Sequence, residues 1–391
     1  MKNEYRPEKL QNFIDIKKGE YITRDKENEG VYPVILGGKE PAYYIDRYNH
    51  DGKAIVVSRS GASAGYVSLW NEKIFVTDGF LIEPKNNVSY DYIYYFLKSR
   101  EGVLKLLQGG AAIPHVTPRL LNNLQINLPP LPTQKKIASI LSAYDNLIQN
   151  YKKQIEALQT AASELYKEWF VRFRFPGYQS TKFENGIPEG WKYLKLSEFG
   201  YEVESGNRPA GGIDDSLEDG IPSLGAESID KLGYFDYSNV KLVPREFYDK
   251  MKRGHGKDND ILLYKDGAYI GKVTLFRNDF PFKEYAVNEH VFLLRSNNED
   301  YQNYLYFTLN MPQYFTQMQN LNRNAAQPGL ARGDLDRIKI LVPDERIIER
   351  FNKFVNLLID NIFSHSKQIT NLAKQRDLLL PRLMSGKLEV E

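Results

Sequence analysis

The sequence predicts an α+β fold: two tandem domains of mixed α and β structure, related by pseudo-two-fold symmetry and separated by two long antiparallel coiled-coil-like helices. Three observations lead there. The chain has 391 residues, too many for one ordinary core and suited to two or three domains. Most of it occurs twice, at an offset of 206 to 214 residues. After each copy comes an apolar stripe that alternates steps of four and three, the spacing of a coiled-coil seam.

The first domain is expected over residues 1–130. It carries SRSGASAGYV (58 to 67), which recurs as YKDGAYIGKV (264 to 273), pairing Gly61 with Gly267 and Gly65 with Gly271. Two glycines so placed suggest a tight turn between strands. Further on, AAIPHVTPRLLNNLQINLP (111 to 129) matches AAQPGLARGDLDRIKILVP (325 to 343), and the drift in offset means small loop insertions. LQNF (10 to 13) pairs loosely with LSEF (196 to 199), so the second copy begins near Trp191, within a second domain expected over 176–342. The tyrosine-rich DYIYYFL (91 to 97) and NYLYFTL (303 to 309) read as core helices in preference to base-stacking platforms, because both copies repeat the pattern.

The two spacer helices are expected within 131–175 and 343–391. In the first, the seam runs through Ile137, Leu141, Tyr144, Ile148, Tyr151, Ile155, Leu158, Ala162, Leu165 and Trp169. An offset of 214 carries it to Phe351, Val355, Leu358, Ile362, His365, Ile369, Leu372, Arg376, Leu379 and Leu383, with polar residues at His365 and Arg376. PPLP (129 to 132) and Val342-Pro343-Asp344 suit helix starts, and the second helix is predicted to stop at Pro381. From Thr133 to Phe170 the first reaches about 55 Å. A shared register favours burying the seams against each other antiparallel, with the copies at opposite ends.

Composition bounds the function. Hydrophobic residues make up 42% and charged residues 26%, the balance of a soluble globular chain. The start, MKNEYRPEKL, is polar where a secretory signal needs an apolar run, so a cytoplasmic location is expected, with no membrane partner. The absence of Cys excludes thiol chemistry, and five scattered His make no metal-ligand set. With 52 basic against 50 acidic residues the net charge is +2, so nucleic-acid binding has to come from local patches. The chain has no Asn/Asp-Pro-Pro-aromatic string for gripping a flipped adenine and no Gly-Lys-Ser/Thr phosphate loop.

Four strings in order, SRSGASAGYV, LNNLQINLPPLPTQKKIASILSAYDNLI, FENGIPEGWKYLKLSEFG and LLLPRLMSGKLEV, resemble the specificity subunits of type I restriction-modification systems over essentially the full length. One departure is LVPDERIIERF in place of LPPLPTQKKIA, which lacks a counterpart of Gln134. The resemblance implies a non-catalytic subunit whose two target-recognition domains each read half of a bipartite, asymmetric site in double-stranded DNA. By the same resemblance two methyltransferase subunits are expected to dock on the paired helices, with restriction subunits as optional further members. No cofactor is expected in this chain; S-adenosylmethionine, ATP and Mg are expected on the partners. A stand-alone nuclease or methyltransferase fragment would need catalytic motifs that are missing. A purely structural coiled-coil adaptor would leave the diverging polar loops without a purpose.

Reading DNA needs Arg or Lys for guanine, Asn or Gln for adenine, and hydroxyls or amides for phosphate. In the first copy the candidates are Lys39, Tyr43 and Arg47, then Arg59, Ser60 and Ser63, then His115, Thr117 and Arg119. The second copy offers Arg208, then Lys252, Arg253 and Lys257, then Lys265 and Tyr269 beside the paired glycines. Arg323, Asn324, Gln327 and Arg332 stand opposite the His115 segment with different chemistry, as two readers of different half-sites should.

Overall fold

The computed structural model describes residues 7–26, 28–38, 40–106, 115–214, 216–321 and 329–390. The chain divides into two compact units, one of Met1–Ile148 with Asn371–Glu391 and the other of Gln149–Thr370.

In the first unit the strands are β1 (Ile14–Lys18), β2 (Glu29–Ile35), β3 (Tyr43–Ile45), β4 (Lys53–Ser58), β5 (Val67–Asn71), β6 (Phe75–Val76) and β7 (Gly79–Pro84). They form a four-stranded antiparallel sheet in the order β1-β7-β4-β5 and a three-stranded sheet in the order β3-β2-β6, in which β2 and β6 run parallel. Strand β4 shows why the sequence reads as nearly continuous apolar residues there. Successive side chains point to opposite faces. Ile55 and Val57 enter the main core with Tyr92, Phe96 and Leu121, while Ala54 and Val56 enter a second cluster with Ile35, Ile74 and Val76. Each large side chain so withdrawn from water contributes roughly 1.5–3 kcal/mol.

The second unit repeats this plan with β8 (Tyr201–Ser205), β9 (Ile221–Leu224), β10 (Lys241–Val243), β11 (Ile261–Tyr264), β12 (Val273–Leu275), β13 (Ala286–Val287) and β14 (Val291–Ser296). Its four-stranded order is β8-β14-β11-β12 and its three-stranded order β10-β9-β13, again with one parallel pair. A short ladder also recurs, Glu8–Lys9 against Gln125–Ile126 and Lys192–Lys195 against Lys339–Val342. The internal repeat is thus a repeat of topology.

The helices that bear on the site are α1 (Tyr90–Ser99), α2 (Pro118–Asn122), α3 (Leu131–Tyr166), α4 (Gln302–Leu309), α5 (Arg332–Leu335) and α6 (Glu345–Met384). The tyrosine-rich segments are core helices: Tyr92, Tyr95, Tyr304 and Tyr306 are all buried. Both long helices supply residues to both units, and within each unit they run antiparallel. In the first, Asp145 of α3 meets Arg376 of α6, and Ile137 and Leu141 share a core with Leu380, Leu383 and Met384. In the second, Tyr151 lies 4.9 Å from His365, and Trp169, in the π-helical turn Lys167–Val171 that continues α3, lies 5.9 Å from Phe351, ring centre to ring centre. The polar seam residues are therefore accommodated, His365 against an aromatic face and Arg376 by a carboxylate. One expectation is corrected: α6 runs through Pro381 to Met384. The Pro381 carbonyl still accepts from Ser385 N at 3.1 Å, and buried Leu383 and Met384 anchor the last turn, which outweighs the proline's missing donor.

Candidate nucleic-acid interface

In each copy a strand pair, β4 with β5 and β11 with β12, is joined by the paired-glycine turn. Gly61 and Gly65 have φ of 76° and 81°, and Gly267 and Gly271 have φ of 125° and 89°, conformations that favour glycine. The turn closes the same way twice. Ser58 N donates to Tyr66 O at 2.9 Å and Gly65 N to Ser58 O at 3.0 Å; Tyr264 N donates to Lys272 O at 2.8 Å and Gly271 N to Tyr264 O at 2.9 Å.

Two neighbouring segments are pinned to this turn. Arg59 N donates to Asp78 O at 3.1 Å, and Lys265 N to His290 O at 3.0 Å. Val116 N donates to Arg59 O at 2.8 Å, and Leu330 N to Lys265 O at 3.0 Å. Isolated bridges add Ser60 to His115 and Asp266 to Gly329. The two segments that the sequence singled out in each copy are thereby brought together, beside a third that it did not.

On this common backbone the side chains differ. In the first copy the Ser60 hydroxyl donates to Asp78 Oδ2, while the Arg59 guanidinium lies 3.8 Å from Asp78 Oδ1. His115 is exposed. Thr117 caps α2, its Oγ1 accepting from Leu120 N at 3.2 Å, and Arg119 stands exposed in the same helix. In the second copy Asp266 Oδ2 meets both His290 Nδ1 and Lys265 Nζ at 3.2 Å, and Lys265 Nζ also donates to Glu289 O at 2.7 Å. His290 Nε2 lies 3.4 Å from Glu289 Oε1, which Arg208 Nε approaches to 3.2 Å. Arg332 is exposed at the start of α5, where Asp334 accepts from Ala331 N at 3.0 Å. Tyr269 is 63% exposed.

The remaining candidates lie elsewhere or outside the description. Tyr43 belongs to β3, with the Arg24 guanidinium 5.7 Å from its ring, and Arg47 lies 4.7 Å from the Phe75 ring and 3.9 Å from Glu20. Ser63 sits in the glycine turn, its carbonyl accepting from Tyr66 N at 2.9 Å. Lys252, Arg253 and Lys257 are exposed in the loop that follows Arg245–Lys250. Lys39, Arg323, Asn324 and Gln327 lie outside the described residues. Residues missed by the sequence reading are Asp78, Asp266, Glu289 and His290. A further line of the repeat would have found the turn that carries three of them, since TDGFLI (77 to 82) matches EHVFLL (289 to 294) at an offset of 212.

Each cluster offers cations and donors for phosphate or guanine and carboxylates able to accept from cytosine or adenine amino groups. The acids also offset the bases, which agrees with the net charge of +2.

The family described as Type I restriction modification DNA specificity domain matches the chain over residues 2–160 and again over 188–371, once per copy. The chain is 31% identical over 351 residues to the type I restriction enzyme MjaIX specificity subunit of Methanocaldococcus jannaschii, covering 87% of this chain and 78% of that one. It is 30% identical over 415 residues to the MjaVIII specificity subunit of the same organism, covering 98% and 92%. Among solved structures, the S subunit of a type I restriction-modification system from M. genitalium shares the fold, with a TM-score of 0.61, 21% identity and coverage of 98% and 97%.

Proposed function

The chain belongs to the type I restriction-modification DNA specificity family, and from that premise we propose that its two copies each read one half of a bipartite, asymmetric site in double-stranded DNA. The observation that carries this reading is the turn built twice on one backbone plan with different side chains. Two readers of common design but different chemistry suit two different half-sites.

On this reading the chain is a non-catalytic subunit. Methyl transfer belongs to two methyltransferase subunits that bring S-adenosylmethionine, and restriction subunits, where they join, bring the use of ATP and Mg. The place of action is the cytoplasm, where the DNA is; among the described residues no helix is long and apolar enough to cross a membrane. A coiled-coil adaptor alone would give no reason for the clusters at the two turns.

The purified chain should neither methylate nor cleave DNA. With a net charge of +2 it should bind DNA weakly alone and more tightly once methyltransferase subunits are added. Methyl transfer from S-adenosylmethionine by the homogeneous chain would sink the proposal, as would a filter-binding titration that shows no gain on adding the partner.

A further inference from the structure

Arg59 and Lys265 are repeat equivalents, fixed by the same two main-chain hydrogen bonds, yet their side chains are held differently. Among the described residues the Arg59 guanidinium has a single long contact, 3.8 Å to Asp78, and its side chain is 38% exposed. Its five donors form a planar fork that matches the O6 and N7 acceptors of guanine. The Lys265 ammonium is spent within the protein. It donates to Glu289 O at 2.7 Å, lies 3.2 Å from Asp266 and sits 5.2 Å from the centre of the Phe292 ring, with only 21% of its side chain exposed. An ammonium has three donors, so little is left to offer a base edge.

We infer that Arg59 reads a guanine in the half-site of the first copy, and that Lys265 reads no base and is a positioning residue for the Asp266 and His290 pair. The backbone of the turn is independently held in both copies, so the side chains are free to differ without altering the scaffold. Position 59 and its equivalent thus do different work in the two readers. The inference rests on the DNA-reading function proposed above.

The test uses the full chain assembled with its methyltransferase, and reads methylation across a DNA library randomised in both half-sites. Wild type comes first: absence of two base-specific blocks would refute the proposed function itself, and would be seen before any variant is made. R59A should lose a guanine preference of roughly 5- to 150-fold at one position of one half-site, with the other half unchanged. R59K, a point charge without the fork, should keep only part of it. K265A should slow methylation of all sequences alike while leaving every base preference intact, and K265R should restore the rate. A folded R59A complex with unaltered preferences would overturn the assignment of Arg59. A base preference that shifts in K265A, or in K265R should the alanine variant unfold, would overturn that of Lys265.

Discussion

Burial pushes the Tyr92 phenol up to about 12, from an ordinary value near 10. Its folded pKa stands above the unfolded one, so its contribution to stability is full below pH 10 and is lost as pH rises through about 12. The linkage is on the order of 3 kcal/mol. Y92F, which removes the ionisable group and one weak bond of 3.4 Å to Asn127 O, should move the alkaline unfolding midpoint upward by circular dichroism. An unchanged or lower midpoint would contradict this. Single residues also show where the sequence could and could not be read. Gln134 is buried, accepting from Ser89 N at 2.8 Å and donating to Pro129 O at 2.7 Å. In the second copy Ile348 stands at the matching position, and Tyr301 Oη donates to Pro343 O at 3.3 Å in its place. The departure from the repeat was legible, but its compensation comes from another segment and was not. Asp78, Asp266, Glu289 and His290 were not legible as candidates because DNA contacts are expected first of Lys and Arg, whereas these residues lie beside Arg59 and Lys265.

Among the elements, the long helices show how one seam serves two different neighbours. In the first unit Asp145 of α3 accepts from Tyr95 of α1 at 2.6 Å and from Arg376 of α6 at 2.5 Å. The repeat equivalents in the second unit, Phe307, Ile359 and Ala162, all lie in its apolar core. Removing one partner of a fully buried pair costs about 3–5 kcal/mol. Here Arg376 and Asp145 keep 24% and 27% exposure, so R376A should cost less, about 2 kcal/mol by urea denaturation. The combined Y95F, D145I and R376A variant copies the second unit's chemistry and should recover most of that loss. An R376A chain as stable as wild type would show the cluster to be idle. The seam was visible in the sequence because its heptad spacing is dictated by helix geometry, and the two polar seam positions were visible with it. The three-stranded sheets with their parallel pairs were not, since strands of two or three residues such as β6 and β13 leave no periodic signal.

At the scale of the molecule the duplication is the main determinant. It gives two units one topology and two glycine turns one backbone plan, and long helices that supply residues to both units. The helices α3 and α6 pass from one unit to the other at Ile148 and Gln149 and at Thr370 and Asn371. A heptad inserted at both junctions lengthens both helices in step without removing any packed side chain, and preserves the seam. It adds about 10 Å at 1.5 Å per residue, or roughly three base pairs at 3.4 Å each. Three base pairs also turn one half-site by nearly a third of the ~10.5 base-pair repeat, so some activity should be lost. The decisive measurement is methylation, with methyltransferase subunits present, over a library in which bases are randomised and the gap between half-sites varies singly, for wild type and for the lengthened chain. The wild-type complex should select two base-specific blocks separated by an unread gap of fixed length, and the lengthened chain should select the same two blocks with a gap about three base pairs longer. One contiguous block, or a folded, active lengthened chain that keeps the original gap, would contradict the account.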